Sequence, residues 1–230
     1  MECQKFIPEG WLENFSTVTK DTLINAIETG EVMQGIVNKC DSNYNLYVDF
    51  GNNLKGIIPR DEIEAINIDE TGFPKPNICA SKVNKYVQFK VKDVDKKDCF
   101  ILSRKAVGED ALNWIKQDVK AGQIVKGIVK GIKPYGVFVE IGGGIVGLLH
   151  IEDISVARIK TPLERLSIGQ KINVVIKSID YKLERVVLSY KELLGSWEDN
   201  VKGFEEGTTV IGIAREVEKS RKWHFYRVKT

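Results

Sequence analysis

The amino-acid sequence predicts a mainly β fold built from tandem copies of one small domain, each a barrel or sandwich of about five short strands. The first observation is an internal repeat. Residues 30–37 align with 122–129 at an offset of 92, and residues 83–95 align with 168–180 at an offset of 85. The second observation is that short apolar runs alternate with glycines and acidic turns, with no long helix inside either copy. Such a pattern is typical of a small barrel or sandwich.

Five strands are predicted in the second copy, at 122–132, 136–141, 144–150, 171–180 and 184–190. Gly35, Gly127 and Gly212 occupy the same place in successive copies, in the middle of the first strand. A glycine inside a strand weakens it and is used where the strand coils sharply, as it does when a small barrel closes. The glycines therefore favour a closed barrel.

The segments between the copies are predicted to be helical. Leu112, Ile115 and Val119 lie on one helical stripe before the second copy, and residues 197–204 show the same spacing before Gly207. The tryptophans upstream of the copies are expected to anchor these helices onto the barrels; they are Trp11, Trp114 and Trp197. The predicted order is an N-terminal helical segment (1–29), the first copy (30–105), a linker helix (106–121), the second copy (122–192), and a linker helix with an incomplete third copy and a basic tail (193–230).

The composition favours a soluble, cytoplasmic, non-catalytic protein. Apolar residues make up 43% of the 230 residues and charged residues 29%, and no apolar run is long enough to span a bilayer. The four cysteines form no CxxC pair and there are only two histidines, so neither a metal site nor a cofactor is expected. No phosphate-binding loop of the GxxxxGK[ST] type is present either.

The positive charge is concentrated in the second copy. Residues 122–192 carry 11 basic and 7 acidic side chains, whereas residues 30–105 carry 12 and 11. A polyanion is expected to be attracted first to the second copy.

Strand alternation separates two faces of the second copy. Val137 and Val139 share one face, while Phe138 and Glu140 share the other. Tyr135 lies at the entrance to this strand, and His150 points away from the apolar face of its own strand. Exposed rings beside cations suit single-stranded nucleic acid, because bases stack on rings while cations follow the phosphates. Packing of the same rings against a neighbouring helix or loop is the alternative.

The stretch GQIVKGIVKGIKPYGVFVEIGGGIVGLLHIEDIS, continued by IGQKINVVIKSIDYKLERVVLSYK, resembles the S-one domain, an RNA-binding module with the OB fold. The resemblance covers 122–191, extends to 30–105 with lower fidelity, and reaches 207–220 as an unfinished start. It implies tandem five-stranded OB-fold barrels joined by short helical linkers. It also implies RNA contacts at Tyr135, Phe138, His150, Asp180 and Arg185. From charge and face alone, we predict phosphate contacts at Lys133, Lys177 and Lys191.

The first copy departs from this pattern. Tyr47 aligns with Phe138 and Asp95 with Asp180, but proline and cysteine replace the histidine and the arginine. Asn43 falls opposite Tyr135, with Tyr44 one place further on. Tyr44, Tyr47 and Asp95 are therefore weaker candidates, and this copy is expected to bind RNA weakly or not at all. By analogy with ribosomal members of the family, it is expected to dock on the ribosome or on another protein.

Three functions are compatible with these residues. The first is non-catalytic binding of single-stranded RNA, such as mRNA, in translation. The second is a protein-docking or accessory module of a ribosome or RNA-processing complex. The third is an accessory fragment of an RNA-cleaving or other enzyme whose catalytic part is missing from these residues. No membrane partner is expected.

Overall fold

A computed structural model describes residues 4–12, 18–51, 54–65, 68–95, 99–181, 185–196, 209, 213–219 and 224–229. The chain divides into two compact units, Met1–Leu194 and Gly195–Thr230. The domain boundaries predicted from the repeat stay a prediction, since the first unit runs over both barrels. No helix within the described ranges is long and apolar enough to cross a membrane.

The first barrel consists of β1 (Met33–Cys40), β2 (Leu46–Gly51), β3 (Leu54–Ile58), β4 (Tyr86–Val94) and β5 (Cys99–Ser103). The strands close in the order β1-β2-β3-β5-β4. Neighbouring strands are antiparallel except β3 and β5, which pair in parallel. Phe89 and Phe100 are the largest fully buried side chains of its core.

The second barrel repeats this topology with β6 (Ile124–Lys133), β7 (Gly136–Gly142), β8 (Ile145–His150), β9 (Lys171–Asp180) and β10 (Arg185–Ser189). It closes in the order β10-β8-β7-β6-β9. The mainly β fold with two closed five-stranded barrels is thereby confirmed, and each predicted strand of this copy ends within two residues of the observed one. Val137, Val139 and Ile141 are fully buried, as their shared face predicts.

Glycine is required in the middle of the first strand of each barrel. A β-carbon on Gly127 would lie 2.4 Å from Cγ1 of Val139, and one on Gly35 would lie 2.7 Å from Cγ1 of Val48. Both strands therefore coil closely over the next strand, as predicted. Gly212 lies outside the described residues.

In the part of the chain that the structure describes, three α-helices accompany the barrels: α1 (Lys20–Thr29), α2 (Pro76–Ala80) and α3 (Lys105–Gln117). Helix α3 occupies the predicted linker, and Trp114 buries its ring in the core of the second barrel beside Phe6, with ring centroids 5.8 Å apart. Helix α1 occupies only the last third of the predicted N-terminal helical segment. The predicted helix at 197–204 lies outside the described residues.

Residues 4–12, called the strap below, belong to the predicted N-terminal helical segment (1–29) but form bends and a turn, closed by the Trp11 amide donating to the Pro8 carbonyl at 3.0 Å. The strap ties both barrels together. The Gln4 side chain donates to the Ile141 carbonyl at 2.6 Å, and the Gln88 side chain donates to the Ile7 carbonyl at 3.0 Å. Phe6 is buried in the core of the second barrel. The strap therefore completes the packing of both barrels within one compact unit.

The centre of the strap holds a buried charge network. The guanidinium of Arg104 lies 2.7 Å from Oε1 of Glu9 and 2.9 Å from Oε2 of Glu64, and all three side chains are at most 12% exposed. Burial alone would raise the pKa of Glu9, but the Arg104 charge outweighs it together with Lys82 and lowers the pKa to about 2. The same carboxylates outweigh the desolvation of Arg104 and raise its pKa.

The second unit contains β11 (Ile213–Lys219) and β12 (His224–Lys229), which pair antiparallel. The sequence shows a glycine and alternating apolar residues at the start of this region and five basic residues in its tail. The incomplete third copy expected from the sequence stays a prediction, because much of this unit lies outside the described residues.

Candidate nucleic-acid interface

The outer face of the second barrel presents one continuous row across the strands. The strand register pairs the residues of this row in the order Gly131, Phe138, Leu148, Val187, Ser178. Neighbouring strands are about 4.8 Å apart, so the row crosses roughly 19 Å of surface. The outward side chains of β7, β8, β9 and β10 are called the binding face below.

Three of the predicted residues meet at one end of the binding face. The rings of Tyr135 and Phe138 form an edge-to-face pair with centroids 6.3 Å apart and an interplanar angle of 87°. Tyr135 is 51% exposed, and the His150 side chain is 44% exposed. Gly136 pairs directly with His150 in the sheet, which brings the histidine beside Tyr135. Two rings and an imidazole thus share one exposed corner.

Close approach of two strands creates this corner. A β-carbon on Gly136 would lie 2.5 Å from the Leu149 carbonyl oxygen, so only glycine fits between the strands. The Ile151 amide donates to the Tyr135 carbonyl at 3.0 Å and fixes the turn that carries the tyrosine. The His150 Nδ1 accepts from the Glu152 amide at 3.5 Å.

Asp180 and Arg185 lie at the other end of the face, directly paired across the β9–β10 hairpin. Both residues are exposed. Arg185 lies on β10, and one strand, β8, separates it from the strand that carries Phe138. All five residues implied by the resemblance therefore lie on one outer surface, with the rings at one end and Asp180 and Arg185 at the other. Their positions alone do not establish contact with RNA, so their role in RNA binding stays a prediction.

Three apolar residues of the same face were missed from the sequence. Val146 is 44% exposed, and Leu148 and Val187 are partly buried in the row beside Phe138. They lie at the outward-facing alternate positions of their strands, as Phe138 and His150 do, so strand alternation alone could have predicted them. Their position extends the apolar stacking surface from the ring pair toward Arg185.

The predicted phosphate-binding lysines differ in their surroundings. Lys177 Nζ lies 2.8 Å from Asp153 Oδ2, and Lys191 Nζ lies 3.0 Å from Asp153 Oδ1. Burial would raise the pKa of Asp153, but these two lysines lower it, and Asp153 in turn raises the pKa of Lys177. Lys133 is exposed and pairs with Gly136 at the ring end of the face. Among the three, Lys133 lies closest in register to the rings.

The first barrel has an equivalent pair of carboxylate and lysine. Glu62 holds Lys92 at 2.6 Å, at the positions that correspond to Asp153 and Lys177. Since both barrels repeat the contact, the lysines of β4 and β9 join the short helical turn after the third strand to the rest of the barrel. A structural role thus accounts for Lys177 without RNA.

Glu140 shares the strand face of Phe138 but is 1% exposed, because the strap covers it. Its Oε1 accepts from the Glu9 amide at 2.9 Å, and Lys130 Nζ lies 2.9 Å from its Oε2. Burial and the nearby Glu9 carboxylate raise its pKa. The strap thus covers the half of the β6–β7 surface that lies beyond Phe138, and the binding face begins where the strap ends.

The corresponding row of the first barrel is Lys39, Tyr47, Ile57, Ile101, Asp93. Tyr44 precedes Tyr47 by three residues, as Tyr135 precedes Phe138, so the structure matches Tyr44 and not Asn43 to Tyr135. Five residues separate the paired Cys40 and Leu46, against four between Ile132 and Val137, and this extra residue explains the change of repeat offset from 92 to 91.

The aromatic side chains of the first barrel are held by neighbours. The Tyr47 hydroxyl donates to Asp41 at 3.2 Å, and burial together with this carboxylate raises the pKa of Tyr47. The Arg60 guanidinium lies 5.0 Å from the Tyr44 ring centroid. Asp95 accepts from the Cys99 amide at 3.0 Å and closes the β4–β5 hairpin.

The two barrels also differ in the charges on their outer faces. The corresponding positions of the first barrel carry two lysines and four aspartates; they are Lys39, Lys55, Asp41, Asp49, Asp93 and Asp95. In the second barrel Lys133 and Arg185 balance Asp180 and Glu140, and Lys130 additionally neutralises Glu140. The binding face of the second barrel is therefore the more favourable of the two for a polyanion. Within the described ranges, no cluster of three or more potential metal ligands occurs.

Two closed five-stranded barrels with one open aromatic face define a tandem OB-fold protein. The profile of the S1 RNA binding domain matches residues 26–105 and again residues 118–191, about two thirds of the chain. The chain therefore belongs to the S1 RNA binding domain family, the S-one family whose resemblance was noted in the sequence.

The similar proteins include ribosomal ones. The chain is 30% identical over 197 residues to the small ribosomal subunit protein bS1 of Neisseria meningitidis serogroup B, covering 83% of this chain and 33% of that protein. It is 37% identical over 133 residues to bS1 of Staphylococcus aureus, covering 55% and 34%. The solution structure of GSP13 from Bacillus subtilis is 24% identical with a TM-score of 0.33, covering 40% of this chain and 66% of that chain. The chain spans about a third of the length of these ribosomal relatives.

Proposed function

We propose that this chain is a non-catalytic protein that binds single-stranded RNA on the outer face of its second barrel. The exposed ring pair of Tyr135 and Phe138 is the observation that carries the proposal. Edge-to-face rings at a solvent-exposed corner offer surfaces on which unpaired bases stack, at about 1–3 kcal/mol for each base. Duplex RNA hides its base faces, so the single strand is the preferred ligand.

The strand crosses the binding face from the rings toward Arg185. Leu148 and Val187 provide apolar surface between these two ends, and Arg185 supplies a cation for a phosphate. Lys133 supplies a second cation at the ring end. Membership of the S1 family supports RNA as the ligand, and similarity to bS1 supports a role in translation with mRNA as the bound strand.

The test is a fluorescence-anisotropy titration of a labelled single-stranded RNA of about a dozen nucleotides, with duplex RNA as comparison. Tyr135→Ala/Phe138→Ala is expected to weaken binding by about 2–4 kcal/mol, because two stacking surfaces are lost. Leu163→Ala is the matched control, since it truncates an apolar side chain that is 67% exposed on the same barrel outside the binding face. The control should bind as the parent does. Equal binding by the ring variant would refute the proposed site.

The salt dependence identifies the phosphate contacts. For single strands, the logarithm of affinity falls with the logarithm of salt by about 0.7 for each phosphate neutralised. Arg185→Ala is expected to reduce that slope by about 0.7. An unchanged slope would remove Arg185 from the interface while leaving the stacking site in place.

A second candidate function is protein docking by the first barrel. The carboxylates and the covered rings of its outer face favour this function over RNA binding. Similarity to a ribosomal protein makes the ribosome the first partner to test. Co-sedimentation of the chain with ribosomes after nuclease treatment would distinguish docking through protein from tethering through mRNA.

A further inference from the structure

Arg60 covers the first-barrel tyrosine that corresponds to the exposed tyrosine of the second barrel. Tyr44 and Tyr135 each lie three residues before the strand aromatic of their barrel, yet Tyr135 is 51% exposed and Tyr44 is partly buried. The guanidinium of Arg60 lies 5.0 Å from the Tyr44 ring centroid, within the range of a cation–π contact. In the second barrel this sequence position is Ile151, which has no charge.

Arg60 is held in this place from two further sides. Its guanidinium lies 5.2 Å from the Phe73 ring centroid, on the loop that joins β3 to β4. Nε and Nη2 donate to the Pro74 carbonyl at 3.3 and 3.0 Å. The repeat offset falls from 91 to 85 across this loop, so the first barrel has six more residues here than the second. The longer loop supplies Phe73 and Pro74.

A guanidinium on a tyrosine ring occupies the surface that a base would use. Arginine is planar and stacks on aromatic faces as a base does, and here it belongs to the same chain, so it is always present at the ring. RNA would have to displace Arg60 from Tyr44, Phe73 and the Pro74 carbonyl at once. No such competitor lies over Tyr135 in the described part of the second barrel.

We propose that Arg60 is the residue that decides which barrel takes RNA, because it closes the Tyr44 face of the first barrel. This inference rests on the proposed function, since it concerns the same ligand. On this view the first barrel binds RNA poorly because the Arg60 side chain covers its tyrosine, and not only because it lacks the binding residues of the second barrel.

The experiment separates two effects that change the affinity for RNA in opposite directions. Removing a cation from a protein surface weakens its attraction for RNA, whereas uncovering a stacking ring strengthens binding. Arg60→Ala is made in the Tyr135→Ala/Phe138→Ala background, so that the second barrel contributes little. Affinity for the same single-stranded RNA is expected to rise about fivefold, the lower end of what one base–ring stack provides. Lys55→Ala is the matched control, because Lys55 is an exposed cation on β3 of the same barrel.

The control is expected to bind equally or more weakly than its background. Amide chemical shifts near Tyr44 and Tyr47 should respond to RNA in the Arg60→Ala protein and stay unchanged in its background. An Arg60→Ala affinity equal to or below that of the background would overturn the inference.

A second variant keeps the test valid if Arg60→Ala does not fold. Phe73→Ala retains the Arg60 charge and removes one of its two ring contacts, so it is expected to raise affinity in the same direction. If Arg60→Ala does not fold, a folded Phe73→Ala protein that binds no more tightly than its background would overturn the closure by Arg60. Failure of the proposed function is seen separately, as equal binding by the parent and the Tyr135→Ala/Phe138→Ala protein.

Discussion

Replacing Arg104 by methionine tests whether the strap locks the two barrels through its buried charges. The substitution keeps the length and apolar stem of the side chain and removes its charge. Arg104 is 5% exposed and holds Glu9 through two nitrogens, at 2.7 and 3.2 Å. It also donates to the Ile63 carbonyl at 3.1 Å. The change therefore leaves the Glu9 carboxylate buried without the cation that is hydrogen-bonded to it.

The magnitude follows from what Glu9 can do in the variant. Removing one partner of a buried ion pair costs about 3–5 kcal/mol. Glu64 keeps Lys82 at 2.9 Å, so Glu9 is the carboxylate most affected. Folding with Glu9 protonated offers an escape, and at pH 7 protonating a group of pKa 4.5 costs about 3.4 kcal/mol. We expect a loss of about 3–4 kcal/mol at pH 7, or about 6–16 °C in Tm.

The stabilities of the parent and of Arg104→Met should change with pH in opposite directions. In the parent, Glu9 has a lowered pKa of about 2, so its stabilisation is complete above about 4.5 and is lost as the pH falls toward 2. In Arg104→Met the folded state binds a proton that the unfolded state lacks at neutral pH. Stability of the variant should therefore rise as the pH falls from 7 toward 4.5, by about 1.4 kcal/mol for each pH unit.

The assay is urea unfolding followed by circular dichroism at several pH values between 4.5 and 7. Lys92→Met is the control, because it breaks an ion pair whose lysine is 48% exposed, and such pairs contribute less than about 1 kcal/mol. Glu9→Gln combined with Arg104→Met should recover part of the loss, since no buried charge then remains at Glu9. A loss below about 1 kcal/mol at pH 7, or one that does not change with pH, would refute the account of the strap.

Four further predictions concern the strap, the binding face and the contact between Asp153 and Lys177. Gly136→Ala should lower the free energy of unfolding by more than about 1 kcal/mol and weaken RNA binding, because its β-carbon would lie 2.5 Å from a backbone oxygen. Gly131→Ala is the control and should cost less, since its β-carbon would have its nearest contact at 3.9 Å. Equal losses in urea unfolding would contradict this. Asp153→Asn should lower the free energy of unfolding by about 2 kcal/mol at pH 7, with a smaller loss below pH 4 as the parent carboxylate protonates. Lys177→Met should leave the salt dependence of RNA affinity unchanged, and a smaller slope would make Lys177 a phosphate contact. Phe6→Ala should cost about 3 kcal/mol in thermal unfolding, as for a core residue, and a loss typical of a chain terminus would contradict its burial.

The strap also changes how the two barrels are to be studied. A fragment that begins at residue 122 would expose the apolar surface that Phe6 and Trp114 cover and would leave Glu140 without the Glu9 amide. RNA-binding variants of the second barrel are therefore best compared in the full chain.

Much of the fold and part of the candidate site follow from the sequence alone. The repeat located both barrels, and strand parity placed Val137 and Val139 inside and Phe138 outside. Both results depend on local rules, since side chains alternate along any strand and an equivalent fold gives an equivalent pattern. The same parity extends to Leu148 and Val187, which were overlooked because no charge or ring marks them.

Tertiary structure decided the rest, because the deciding contacts join residues far apart in the chain. Glu9 meets Glu140 across 131 positions and Arg104 across 95, so no local pattern signals that the strap covers one half of the outer surface and leaves the ring pair open. Arg60 reaches Tyr44 only because a longer loop folds back beside the ring. Sequence determined which side chains point outward; packing between distant segments determined which of those are covered.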